Sequence, residues 1–67
     1  MGEFVAVLLG RIENTGRGLA AARHAGHPYE AELHLAMLAD LAHTAREYNV
    51  ALPVWVEPEL CARERAR

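Results

Sequence analysis

Four histidines, one cysteine and nine carboxylates are the side chains with which this 67-residue chain could do metal, acid–base or nucleophilic chemistry. A metal needs several of them to converge at suitable spacings. His24 and His27 straddle the turn signalled at Gly26, and the step from His34 to His43 matches no common zinc pattern. The best local arrangement is Asp40 and His43 followed by Glu47. A carboxylate and a histidine at i and i+3 occur in di-iron four-helix bundles, where Glu-x-x-His pairs project inward beside a further glutamate from another helix. Glu13 is the available partner. At about 100° per residue, however, Asp40, His43 and Glu47 fall roughly 120–180° from the apolar stripe that must face inward. They read as a solvated face joined by a His43–Glu47 contact. A metal-binding bundle is therefore the third-ranked reading, and no cofactor is expected.

Catalysis finds no better footing. Cys61 stands among Glu59, Arg63 and Glu64 with no histidine near it in sequence, and reads as a buried or incidental thiol. Asn14-Thr15-Gly16-Arg17-Gly18 has turn character, but it lacks the glycine pattern and the lysine of a phosphate-binding loop. Two helices also offer little concave surface for a substrate. No enzyme activity is expected. His34 is a separate case, because it falls between two apolar stripes. It is either a partly buried histidine satisfied by Glu30 one turn earlier or by the C-terminal tail, or a pH-sensitive contact at an interface.

The charge balance weighs on partners. A formal net charge of −2 gives no general attraction for nucleic acid or anionic membranes. The second helix opens with Tyr29, Glu30 and Glu32, which would set negative charge against phosphates. Arg11, Arg17 and Arg23 recur every six residues and so point to three sides of a helix. Arg63, Arg65 and Arg67 form a small basic tail, interrupted by Glu64, and keep a nucleic-acid-associated regulator as the alternative reading. The apolar run 4–9 is far short of the roughly 20 residues that cross a bilayer. It also fails as a signal peptide, with Glu3 before it and Gly10-Arg11 cutting it short. One arginine against four acidic residues on the second helix disfavours membrane-surface binding. A lone cysteine cannot make an internal disulfide, and a cytoplasmic setting follows. All seven basic residues are arginine, in keeping with a GC-rich bacterial genome.

With 52% hydrophobic and 24% charged residues, the composition is that of a globular chain. Its length allows one domain over 1–67, and a chain so short buries only about three-fifths of its unfolded surface. The elements are marked by local signals. Gly26 suits the left-handed position past a helix end, and Pro28 suits the first turn of the next helix. Arg23 and His24 before the turn, and Glu30 and Glu32 after it, complement the helix dipoles. Asn49 and Pro53 then end the second helix. The result is an all-α fold, an antiparallel helical hairpin of about 3–25 and 28–48. Residues 4–9 could by composition be a buried strand, yet Val5, Leu8, Ile12, Thr15, Leu19 and Ala22 follow the alternating steps of a helical seam. Gly10, Gly16 and Gly18 each cost about 1 kcal/mol relative to alanine within a helix, so a kink or break is expected near 14–18.

On the second helix, Ala31, Leu35, Leu38, Ala42 and Ala45 form one stripe, and Leu33, Met37, Leu41 and Tyr48 form another beside it. The hairpin satisfies the first. The second needs a cover, and two are available. The tail 50–58, stiffened by two prolines, could fold back with Trp55 as a plug, with a short helix or frayed end over 59–67. A second copy could instead complete a four-helix bundle. The function expected is that of a small protein–protein interaction module, adaptor or regulator. It would act as a homo-oligomer, on a larger protein partner, or both, through Leu33, His34, Met37, Leu41, Tyr48 and Trp55.

Overall fold

A computed structural model describes residues 2–65, with side chains through Arg63. Among the described residues, three helices account for the regular structure: α1 (Gly2–His24), α2 (Pro28–Glu47) and α3 (Val56–Arg65). The chain is all-α, and α1 and α2 form the hairpin. Arg67 and the Arg65 side chain, two thirds of the expected basic tail, lie outside the described residues.

Both hairpin helices end on the same backbone device. Gly26 at φ 73° lets its own N–H reach the Arg23 carbonyl while the His27 N–H reaches Ala22. Asn49 at φ 57° repeats the pattern with Arg46 and Ala45. In each case a left-handed residue turns orphan helix carbonyls into acceptors. Pro28 then occupies the first turn of α2, where its missing N–H has no helical partner to lose. The His27 side chain does not cap the helix, and its Nδ1 pairs with the Glu30 carboxylate at 3.2 Å.

The seam between α1 and α2 follows the heptad. Leu8, Ile12, Thr15, Leu19 and Ala22 are buried from one side, and Ala31, Leu35, Leu38, Ala42 and Ala45 from the other. Full burial of a leucine or isoleucine contributes about 1.5–3 kcal/mol, and Ile12 and Leu38 are fully enclosed. The one polar member, Thr15, donates its hydroxyl to the Arg11 carbonyl at 2.8 Å, so it brings no unpaired group into the core.

Two expectations need correction. No break occurs near 14–18, and α1 runs through all three glycines. The reason is that Gly16 and Gly18 each lie directly beneath another side chain, Trp55 and His34 respectively. Contacts that only a glycine admits offset its helix cost. The terminal helix also starts earlier than expected. α3 begins at Val56, and Pro58 sits in its first turn, where a proline interrupts no helical hydrogen bond. Val56 is fully buried against Leu8, Ile12, Leu38, Ala42 and Ala45, which anchors the tail to the hairpin core.

Candidate interaction surface

The tail's position decides which surface remains open. Trp55 lies over Gly16 of α1, so close that a Cβ at that position would stand 2.5 Å from its Cη2. Glu13, Arg17 and Ala20 line the same spot. Beyond it, α3 runs alongside α2 and is tied to the hairpin by ion pairs: Arg23 with Glu59 at 2.8 Å, Arg46 with Glu57, and Arg63 with Glu32 at 3.5 Å. The Glu59 hydrogen bond holds the Arg23 guanidinium above its ordinary pKa, against a smaller desolvation effect. Measured around α2 from Leu38, Arg46 and Glu32 lie at about +80° and +120°, whereas Leu41 and Met37 lie at about −60° and −100°. The tail therefore covers the flank opposite the second apolar stripe.

That stripe stays exposed. Leu33 and Met37 keep 47% and 52% of their surface, Tyr48 is open, and Leu41 is half-buried against the core. Residues of α1 extend it. Phe4 meets Tyr48 edge to face, with ring centroids 5.0 Å apart, and Val7 lies exposed in the same region. Two shallow hollows join the helices along this face. One is lined by Phe4, Val7, Leu8, Arg11, Leu41 and Thr44, the other by Arg11, Asn14, Thr15, Met37, Asp40 and Leu41. They share Arg11 and Leu41, so the face is one groove between α1 and α2.

Of the six residues expected to form an interaction site, Leu33, Met37 and Leu41 lie on this face and Tyr48 closes one end. Trp55 is not among them, because Gly16 receives it on the other flank. His34 is partly buried at the groove's edge, its ring resting on Gly18. Its Nδ1 donates to the backbone carbonyl of Glu30 at 2.8 Å, so of the two partners expected for it, Glu30 and the tail, Glu30 is the one it meets. Phe4, Val7, Arg11 and Asp40 were missed as members of the face. The apolar run 4–9 with no polar side carried the signal for the first two, since it is wider than the seam can consume.

The remaining candidates stand apart from one another. Asp40, His43 and Glu47 are exposed, and His43 approaches Glu47 at 3.5 Å. Glu13 lies on the Trp55 flank, remote from that trio. Among the described residues, no group of three or more His, Cys, Asp or Glu side chains is placed to hold a metal ion. Cys61 is exposed rather than buried. No described helix is long and apolar enough to cross a membrane. Comparison of the chain with protein-family models, with curated proteins and with solved structures found no match.

Proposed function

We propose that the chain is a small helical protein–protein interaction module, an adaptor or regulator that docks through the α1–α2 face bearing Phe4, Val7, Leu33, Met37 and Leu41. The observation that carries this reading is the tail's choice of flank. The chain has one apolar segment able to cover the second stripe, and that segment is seated on the far side. Phe4, Val7, Leu33 and Met37, each about half exposed, with the less exposed Leu41 beside them, leave on the order of 400 Å² of apolar surface in one place. Patches of that size on small proteins commonly mark contacts.

The nucleic-acid alternative draws less support, because Arg23 and Arg63 are engaged with Glu59 and Glu32. An exposed, unpaired Cys61 thiol fits a reducing, cytoplasmic setting. The test places charge on the face. Leu33→Glu and Met37→Glu alter exposed positions and should leave helix content unchanged while abolishing association, whether with itself or with a partner. Val54→Glu, at a 92% exposed tail position, is the control. If both face variants associate as the unaltered chain does, the proposal fails.

A further inference from the structure

We infer that the occupant of this face is a second copy of the same chain, related by a two-fold axis running along the groove, so that Arg11 of each copy meets Asp40 of the other. The inference rests on the docking reading above and adds the identity and geometry of the partner.

Two exposed charges of opposite sign lie within the groove, beside Met37 and Leu41. Arg11 and Asp40 line the same hollow between α1 and α2. Neither belongs to the five ion pairs found among the described residues. Burying them against a purely apolar partner would take one charge of each sign out of water without a new partner, which is strongly unfavourable. The occupant must therefore present an anion where Arg11 points and a cation where Asp40 points, with the same separation. A second copy supplies both.

The symmetry follows from where the charges sit. Arg11 is on α1 and Asp40 on α2, at one level along the groove. A two-fold axis parallel to the helices sets α1 of one copy on α2 of the other and brings each arginine against an aspartate. An axis across the groove at that level sets α1 on α1 and pairs like charges, which is repulsive. The first arrangement also lays Phe4 and Val7 of each copy on the Leu41 end of the other's α2, yielding a four-helix bundle with an isologous interface. The apolar area on this face supplies about half of the roughly 800 Å² per partner of a standard stable interface, and the polar side chains that line the groove extend it. The chain's own tail is not a competing occupant, since Trp55 and Val56 are held on the other flank.

The test is a charge exchange on the full chain, read by sedimentation velocity at tens of micromolar. The unaltered chain should sediment as a dimer. Arg11→Asp alone makes both contacts carboxylate against carboxylate, and Asp40→Arg alone makes both guanidinium against guanidinium. Each should weaken dimerisation by about tenfold or more. In an equimolar mixture of the two variants both contacts become attractive again, and a one-to-one heterodimer should return. Circular dichroism checks that each variant is folded. Should either reversal unfold the chain, salt supplies the second measurement. The unaltered dimer should weaken as salt shortens the Debye length from about 10 to 3 Å, and the neutral double variant Arg11→Gln with Asp40→Asn should lose that dependence. A monomeric unaltered chain overturns the second-copy inference. The docking reading is then judged separately, by whether Met37→Glu blocks binding of a different partner. A dimer whose mixed variants stay apart, whose single variants pair undiminished, or whose salt response is unchanged in the neutral double variant overturns the two-fold pairing.

Discussion

Gly10→Ala and Gly16→Ala are the same chemical change in the same helix, and the structure predicts opposite outcomes. Nothing lies within 4 Å of a Cβ placed at Gly10. Substitution there only removes the backbone-entropy cost of glycine and should stabilise by about 1 kcal/mol. At Gly16 the same gain is opposed by the indole of Trp55, three of whose ring carbons lie at 2.5 and 3.1 Å from the new Cβ. A rigid ring meeting a methyl group edge-on cannot fold away, so the tail must lift. Uncovering about half of a side chain that buries ~200 Å² costs on the order of 2–3 kcal/mol at 25 cal/mol per Å². The net effect is a loss of about 1–2 kcal/mol, which at this size lowers Tm by roughly 5–15 °C. Gly10→Ala should raise Tm by a few degrees instead. Thermal unfolding followed by circular dichroism and by the fluorescence of Trp55, the chain's one tryptophan, measures both. In a Trp55→Ala background the obstacle is gone, and Gly16→Ala should then stabilise. Gly16→Ala melting at or above the unaltered chain, or staying destabilising without the indole, would refute the close-packing argument.

Three further substitutions test other parts of the fold. Leu38→Ala empties a fully buried position and should cost about 2–5 kcal/mol, enough to leave much of so small a chain unfolded by urea titration at room temperature. Gly26→Val forces a β-branched residue to φ 73° and should cost more than the ~1–2 kcal/mol of an ordinary left-handed residue, whereas Asn49→Gly at φ 57° should be neutral within about 0.5 kcal/mol. Arg23→Gln should cost no more than about 0.5 kcal/mol after screening, since its side chain is 45% exposed. Because the Glu59 hydrogen bond raises the Arg23 pKa, the arginine's share of that stability is present at all lower pH and is lost only when strong alkali deprotonates the folded form. Between about pH 6 and 10 the difference between Arg23→Gln and the unaltered chain should therefore change with salt and not through any titration of this arginine.

The parts of the fold legible in sequence are those with local causes. Gly26, Pro28 and Asn49 mark ends through the dihedrals they favour, and the buried positions of α1 and α2 follow from a three–four spacing that a helix turns into a stripe. What was illegible depends on contacts between distant positions. The cost of Gly16 and Gly18 is visible from their neighbours, but the compensation comes from Trp55 and His34 on other elements. Pro58 looks like a stop until its place in the first turn of α3 is known. The flank taken by the tail was likewise undetermined by periodicity, since apolar residues border the seam on both sides. Gly16 and Ala20, four apart on the flank where Trp55 docks, were the available clue.

The forces holding the tail explain why this one docking site fixes the open face. The ion pairs from Arg23, Arg46 and Arg63 to α3 or from it are exposed to differing degrees, and surface pairs are worth about 0–1 kcal/mol each. Val56 is fully enclosed, and a buried valine contributes about 1.5–3 kcal/mol, to which the Trp55 ring adds its own covered area. Apolar contact thus carries most of the attachment, while the charges align α3 with α2. Apolar contact alone does not distinguish one side of the hairpin from the other, because Leu41 and Met37 on the far side are as suitable for an indole as anything near Gly16. The distinction is steric: Gly16 lets a flat ring reach the helix backbone, and Gly18, its counterpart on the other flank, is already covered by His34. With one glycine occupied by a residue of α2, the tail has a single close seat. The apolar surface on the His34 side is left for an external partner.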